Sequence, residues 1–259
     1  MSENESGERR LGDAVRIDGA YQYRAMHEGP SFQRSWHREK LLILDELTSA
    51  ARPGSRALDA GCGSGVLAEH LGSQGWTVVG VDANKDAVSF ASEAYGSARV
   101  SFAHGYLDEL QFGTEFDLVI SFEVVEHLTH DQVNTFLGAA YSALRPGGRL
   151  ILTTPNYSSA WPAIEWACDR MTFLPNMDGD QHITRFSIPS IGEALRRAGF
   201  EVDRTTTFST LGPIAGLFSP RLQGRLSSAE RRFGFRFGNL LLVVASRPAQ
   251  HRVAEFYNC

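Results

Sequence analysis

The sequence predicts a doubly wound α/β sandwich, with a seven-stranded, mainly parallel sheet, helices on both faces and a final antiparallel strand. Short apolar runs of strand length alternate with amphipathic stretches of helical length. The first run leads through a glycine-rich turn straight into a helix. The length of 259 residues, with 42% apolar and 21% charged side chains, suits one such domain carrying insertions.

Residues 1–18 are rich in Glu, Ser, Gly and Arg and read as a disordered lead-in. Residues 19–50 form a helical cap: Trp36, Leu41, Leu44 and Leu47 recur at helical spacing, and Ser31 after Pro30 can cap the helix. Residues 51–248 hold the main domain. Its expected strands are 57–60, 76–81, 100–103, 116–121, 149–154, 200–206 and 239–246. Helices are expected at 66–71, 85–95, 131–144 and 188–198. Pro146-Gly147-Gly148 turns the chain into the fifth strand, and Gly199 ends the last of these helices. Two stretches without clean periodicity, 156–183 and 207–237, read as irregular lid insertions, and 249–259 as a tail.

A formal charge of −5 gives no global attraction to polyanions, so nucleic acid is disfavoured as a partner. Cys62, Cys168 and Cys259 are odd in number and contain no CxxC pair, which fits a reducing cytoplasm and neither disulfides nor structural zinc. The polar amino terminus lacks the apolar core of a signal peptide, and no apolar run is long enough to span a bilayer.

The chemistry starts at Asp59-Ala60-Gly61-Cys62-Gly63-Ser64-Gly65. A strand, then glycines, then a helix lets backbone N–H groups approach a ligand without a Cβ in the way. A nicotinamide-binding turn has GxGxxG spacing, but the place of its third glycine is Val66; the spacing here is GxGxG. Asp82 ends the second strand, where a carboxylate can accept both hydroxyls of a ribose.

The ordered set DAGCGSG, VVGVDAN, FDLVISFEVVEHL and LRPGGRLILTTPN resembles the class I S-adenosylmethionine-dependent methyltransferases, which have a Rossmann-like fold. The resemblance implies that Asp59, Gly61, Cys62, Gly63 and Gly65 hold the methionine part of S-adenosyl-L-methionine. It implies that Asp82 and Ala83 hold the ribose, and that Phe122 and Glu123 flank the adenosine. Many relatives carry an acidic residue after the third strand; here Tyr106 takes that place, which leaves adenine contact to Leu107 and its apolar neighbours. The ubiquinone-biosynthesis O-methyltransferases are the nearest subfamily in motif and length. In them an arginine meets the cofactor carboxylate, and Arg38 is the matching residue, with slightly longer spacing to the glycine loop. His37 beside it reads as a surface histidine.

Glu123, Glu126 and His127 follow the fourth strand at i, i+3 and i+4, so on one helical turn they would share a face. Three readings are open. The turn ties the loop together; or His127, with Glu126, serves as general base for a hydroxyl acceptor; or Glu123, Glu126, His127 and His182 bind a divalent cation. The last resembles the metal set of the small-RNA 2′-O-methyltransferases.

On the acceptor side, Tyr157, Trp161, Trp166, Met171, Phe173 and Met177 suggest a lid over an apolar small-molecule or lipid-like acceptor. The stretch from Phe208 to Arg236 is apolar, then basic, and reads equally as a peripheral membrane contact or an amphipathic helix with a solvated arginine face. The expectation is O-methylation. The rivals are a metal-dependent RNA terminal 2′-O-methyltransferase, a nicotinamide oxidoreductase and a non-catalytic cofactor-binding protein. The sequence is silent on oligomeric state.

Overall fold

The computed structural model describes residues 18–48, 52, 54–109, 111–163, 182–216, 218–233 and 238–249. The lead-in, most of the 156–183 insertion, Cys168, Cys259 and nearly all of the tail lie outside them. Helices α1 (Tyr21–His27) and α2 (Ser31–Thr48) precede β1 (Arg56–Ala60). Then come α3 (Val66–Ser73), β2 (Thr77–Asp82), α4 (Lys85–Tyr95), β3 (Val100–His104) and β4 (Phe116–Phe122). After them follow α5 (His130–Ala143), β5 (Leu144–Pro155), α6 (Ile188–Arg197) and β6 (Glu201–Phe208). Helices α7 (Gly212–Gly216) and α8 (Pro220–Phe233) lead into β7 (Leu240–Ser246).

The seven strands form one sheet in the order β3-β2-β1-β4-β5-β7-β6. β1 to β5 are parallel, and β7 runs antiparallel between β5 and β6. The last strand of the sequence therefore sits inside the sheet, and β6 forms the edge. β4 and β7 are buried on both faces, which is why they read as continuous apolar runs. One apolar layer, including Phe136, Leu137 and Ile191, packs α5 and α6 on one face; Ile43, Leu44, Leu67 and Leu71 pack α2 and α3 on the other.

Local chemistry fixes the ends. Asn84 accepts the N–H groups of Asp86 and Ala87 at the start of α4. Thr129 with Gln132, and Ser187 with Ser190, form reciprocal capping boxes on α5 and α6.

Two expectations need correction. Residues 212–216 and 220–233 are not irregular but form α7 and α8. The buried face of α8 is polar (Gln223, Ser227, Glu230 and Arg231), so it shows no apolar periodicity. Arg231 reaches back to α2, with its Nη2 2.8 Å from Glu46 and its Nη1 3.9 Å from Glu39, while Gln223 Nε2 donates to Ser35 O at 2.6 Å. His37, read as a surface residue, is buried at 8% exposure. Among the described residues, no helix is long and apolar enough to cross a membrane.

Candidate active site

The glycine loop lies at the carboxyl end of β1. Gly61, Gly63 and Gly65 have φ values of 84°, 50° and 81°, a region open to glycine and costly for other residues. The turn is held by the Gly61 and Cys62 N–H groups donating to Val81 O (2.8 and 3.1 Å) and by Gly65 N–H donating to Cys62 O (2.9 Å). A Cβ on Gly61 would stand 2.4 Å from Val124 Cγ2. Asp82 closes the loop: one carboxylate oxygen accepts the Gly63 N–H and the other the Asn84 N–H, both at 2.8 Å. Burial still raises the Asp82 carboxyl above its usual range.

Asp59, beneath the loop, is 1% exposed, and its Oδ2 has no hydrogen-bond partner. Burial first, and the neighbouring Asp82 charge second, push its pKa up to about 7. Beside Asp82, Ala83 is half-buried and its carbonyl lies 3.1 Å from His104 Nε2. Leu107 and Phe122 are buried, and the Tyr106 ring meets His104 edge-on. Cys62 is buried in the loop, where burial holds its thiol protonated.

The amino-terminal helices cover this cleft. Tyr23 N–H donates to Ser64 Oγ at 3.0 Å. A Cβ on Gly63 would meet Gln22 Oε1 at 2.5 Å. Gln22, Met26, His37 and Lys40 line the space above Val66 and Leu67.

Lys40 is the site residue that the sequence reading missed. It is 5% exposed, and its Nζ lies 2.8 Å from Glu123 Oε2, an oxygen that also receives Trp36 Nε1 at 3.5 Å. Burial alone would raise the Glu123 pKa, but Lys40 outweighs it and the net shift is downward. Burial, helped by the Lys40 charge, lowers His37 to about 4. Arg38, by contrast, is exposed, and the cation that α2 turns inward is Lys40. The signal was present: Lys40 lies four residues from both Trp36 and Leu44 and continues their row.

The Glu-x-x-Glu-His segment is no α-helical turn. Glu123 adopts a left-handed φ of 57°, and Val125–His127 is a single 3₁₀ turn. Glu123 consequently pairs with Lys40, while Glu126 and His127 turn elsewhere, so the four-ligand set must lose Glu123. Glu126 is 1% exposed and accepts the Thr154 hydroxyl at 3.1 Å; burial raises its pKa to about 8.

Two contacts bring the 182–186 segment alongside. Thr184 donates its N–H to Glu126 O (3.0 Å) and its hydroxyl to Leu128 O (2.6 Å). The His127 and His182 rings are thereby 5.0 Å apart. Among the described residues, Glu126, His127 and His182 each offer a ligand atom, all within 4.8 Å of one another. Tyr157 OH is 2.9 Å from His182 Nδ1, and Trp161, which contacts both Trp36 and His182, roofs the group. Trp166, Met171, Phe173 and Met177 lie outside the described residues.

A family model described as a methyltransferase domain matches residues 33–205. The chain belongs to that family. It is a class I S-adenosylmethionine-dependent methyltransferase, and S-adenosylmethionine is its cofactor. A probable S-adenosylmethionine-dependent methyltransferase of Mycolicibacterium smegmatis is 31% identical over 76% of this chain and 69% of its own length. The ubiquinone biosynthesis O-methyltransferase of Marinobacter nauticus is 32% identical over 69% of this chain and 76% of its own. The match to the mitochondrial ubiquinone biosynthesis O-methyltransferase of Schizosaccharomyces pombe, at 35% identity, spans 39% of this methyltransferase and 38% of that enzyme. Among solved structures, the Synechocystis magnesium protoporphyrin IX methyltransferase with bound S-adenosylhomocysteine shares the fold at a TM-score of 0.63 and 20% identity. That match covers 92% of this chain and 98% of the other.

Proposed function

We propose that this methyltransferase transfers the sulfonium methyl of S-adenosylmethionine to a hydroxyl oxygen of an apolar, lipid-like small molecule. One observation carries the choice of oxygen. His127 and His182 stand 5.0 Å apart, with Tyr157 on His182, under the indole of Trp161. A hydroxyl must shed its proton as it is methylated, and an imidazole in a partly apolar setting can take it. The names of the Marinobacter and Schizosaccharomyces relatives support the same acceptor class.

The residues present fit the cofactor. Asp59 Oδ2 and Glu123 Oε1 are buried acceptors without partners, suited to an α-ammonium group, which moves Glu123 from the adenosine side, where the resemblance put it, to the methionine side. Lys40, in place of the exposed Arg38, is the cation for the α-carboxylate. Gly61, Cys62, Gly63 and Gly65 would line the methionine side, Asp82 and Ala83 the ribose, and Leu107 and Phe122 the adenine. When bound, the cofactor supplies an electrophilic methyl group. The protein positions the acceptor oxygen in line with it, keeps water out beneath Trp36 and Trp161, and receives the proton at His127. Production of S-adenosylhomocysteine with matched phenol and amine acceptors tests this. Turnover of amines alone overturns the reading.

A specific observation also favours a divalent cation at Glu126, His127 and His182: the three ligand atoms already converge within 4.8 Å. One carboxylate and two imidazoles suit zinc- or manganese-like ions better than magnesium. Such an ion would lower the pKa of an acceptor hydroxyl. Metal content after exhaustive chelation, and activity before and after readdition of zinc or manganese, separate the two versions. Activity indifferent to chelation leaves the histidine base.

A further inference from the structure

We infer that the outer face of α7 and α8 docks on an anionic lipid bilayer. The inner face of α8, with Gln223, Ser227, Glu230 and Arg231, is taken up by α2 and β6. Its outer face carries two parallel rows. Arg221, Arg225 and Arg232, at i, i+4 and i+11, form an exposed cationic row. Phe218, just before the helix, Leu222 and Phe233 form an apolar row beside it, at 83%, 44% and 76% exposure. Leu211, just before α7, and Ile214 on it are further exposed apolar side chains, at 47% and 51%.

Charge complementarity selects the occupant. The chain as a whole carries −5, yet the three exposed charges on this face are all arginine. Glu230, the acidic residue of α8, is buried and accepts the Thr210 and Leu211 N–H groups. Large apolar side chains beside a row whose exposed charges are all arginine match the boundary between acyl chains and anionic headgroups. A protein partner could cover the apolar row, but it would have to supply a matching acidic row. Position agrees as well. β6 is parallel to β5, and α7 hangs from the carboxyl end of β6 at Phe208, the sheet edge at which β1, β2 and β4 present the cofactor loop. Docking through α7 and α8 sets that edge close to the lipid surface. The inference does not depend on which acceptor is methylated.

Sedimentation of the full chain with two kinds of vesicle tests it, one of phosphatidylcholine alone and one containing phosphatidylglycerol as well. The protein is expected to pellet with the anionic vesicles and to be released by molar salt, where the Debye length falls to about 3 Å. Each arginine near an anionic surface contributes about 1 kcal/mol, so the triple variant R221Q/R225Q/R232Q should bind about 100-fold more weakly. F218S/F233S should lose about 10-fold per ring. Unchanged S-adenosylhomocysteine affinity in both variants confirms that they fold. Equal binding to the two vesicle types, or binding to neither, overturns the inference. So does a concentration-dependent dimer that Phe218→Ser dissolves, because a second copy would then be the occupant.

Discussion

Replacing Lys40 with methionine tests the electrostatic centre of the site most directly. Lys40 Nζ and Glu123 Oε2 are 2.8 Å apart, with 6% and 22% of the two side chains exposed. At an effective dielectric of about 20, the attraction at that distance is about 6 kcal/mol, and desolvation of both ions offsets much of it. Loss of one partner leaves the other charge buried, at a cost of about 3–5 kcal/mol for a fully dry pair. The residual exposure of Glu123 favours the lower end, about 3 kcal/mol. For a chain of this size that is a fall of about 6–12 °C in Tm. Neutralising both partners in K40M/E123Q should return stability to within about 1 kcal/mol of the parent. Urea unfolding of the parent, both single variants and the double variant closes the cycle. A cost below about 0.5 kcal/mol for Lys40→Met, or strict additivity in the cycle, would refute the pair. Because the same ammonium is assigned to the cofactor carboxylate, calorimetry should also show affinity about 10- to 100-fold lower in Lys40→Met.

The remaining predictions use other parts of the molecule. Glu123→Gly should be about 1 kcal/mol more stable than Glu123→Gln, because glycine removes the left-handed strain at φ 57° that glutamine keeps; equal unfolding midpoints would argue against strain. Asp59, with its pKa raised to about 7, should bind the cofactor ammonium better as a carboxylate. Affinity should therefore fall as pH drops from 8 to about 6, with proton release on binding, and Asp59→Asn should flatten the calorimetric profile. Glu39, which burial raises from 4.5 to about 7, favours the fold below about pH 4.5 and loses that contribution as pH climbs through 7. Glu39→Gln should consequently stabilise the protein above pH 7, by at most about 3 kcal/mol in urea unfolding, and an unchanged midpoint at pH 8 would contradict this. His127→Ala should lower kcat about 100- to 10,000-fold with cofactor affinity retained; loss of affinity without loss of kcat would remove it from proton transfer.

Much of the fold was legible because strands buried on both faces are continuous apolar runs, and the glycine loop announces itself by spacing. The misreadings share a cause: side-chain direction depends on local backbone geometry. Glu123, Glu126 and His127 would form one face only on an α-helix, and the left-handed Glu123 followed by a 3₁₀ turn sends the first carboxylate to Lys40. Arg38 and Lys40 differ by two residues, a large rotation on a helix, so a motif match close in sequence selected the exposed cation. Helix α8 was legible only as one of two readings, and without bounds, because its inward face is Gln, Ser, Glu and Arg, held by hydrogen bonds and ion pairs instead of apolar burial. His182 is brought to His127 by two hydrogen bonds of Thr184, a long-range contact with no sequence pattern of its own.

The position of α1 has a consequence for turnover. The family match begins at residue 33, yet the side chain over Gly63 belongs to Gln22, and the loop's Ser64 hydroxyl is held by Tyr23. The segment that covers the glycine loop therefore lies upstream of the stretch that the family model matches. Helix α1 has only seven residues and no side-chain cap at Ala20, and it is held by Gln33 Nε2 donating to Tyr21 OH at 3.0 Å and by the Tyr23 ring against Phe90. A cofactor seated beneath Gln22 would leave as this helix opens, so loosening α1 should speed cofactor release, which stopped-flow dissociation of S-adenosylhomocysteine checks.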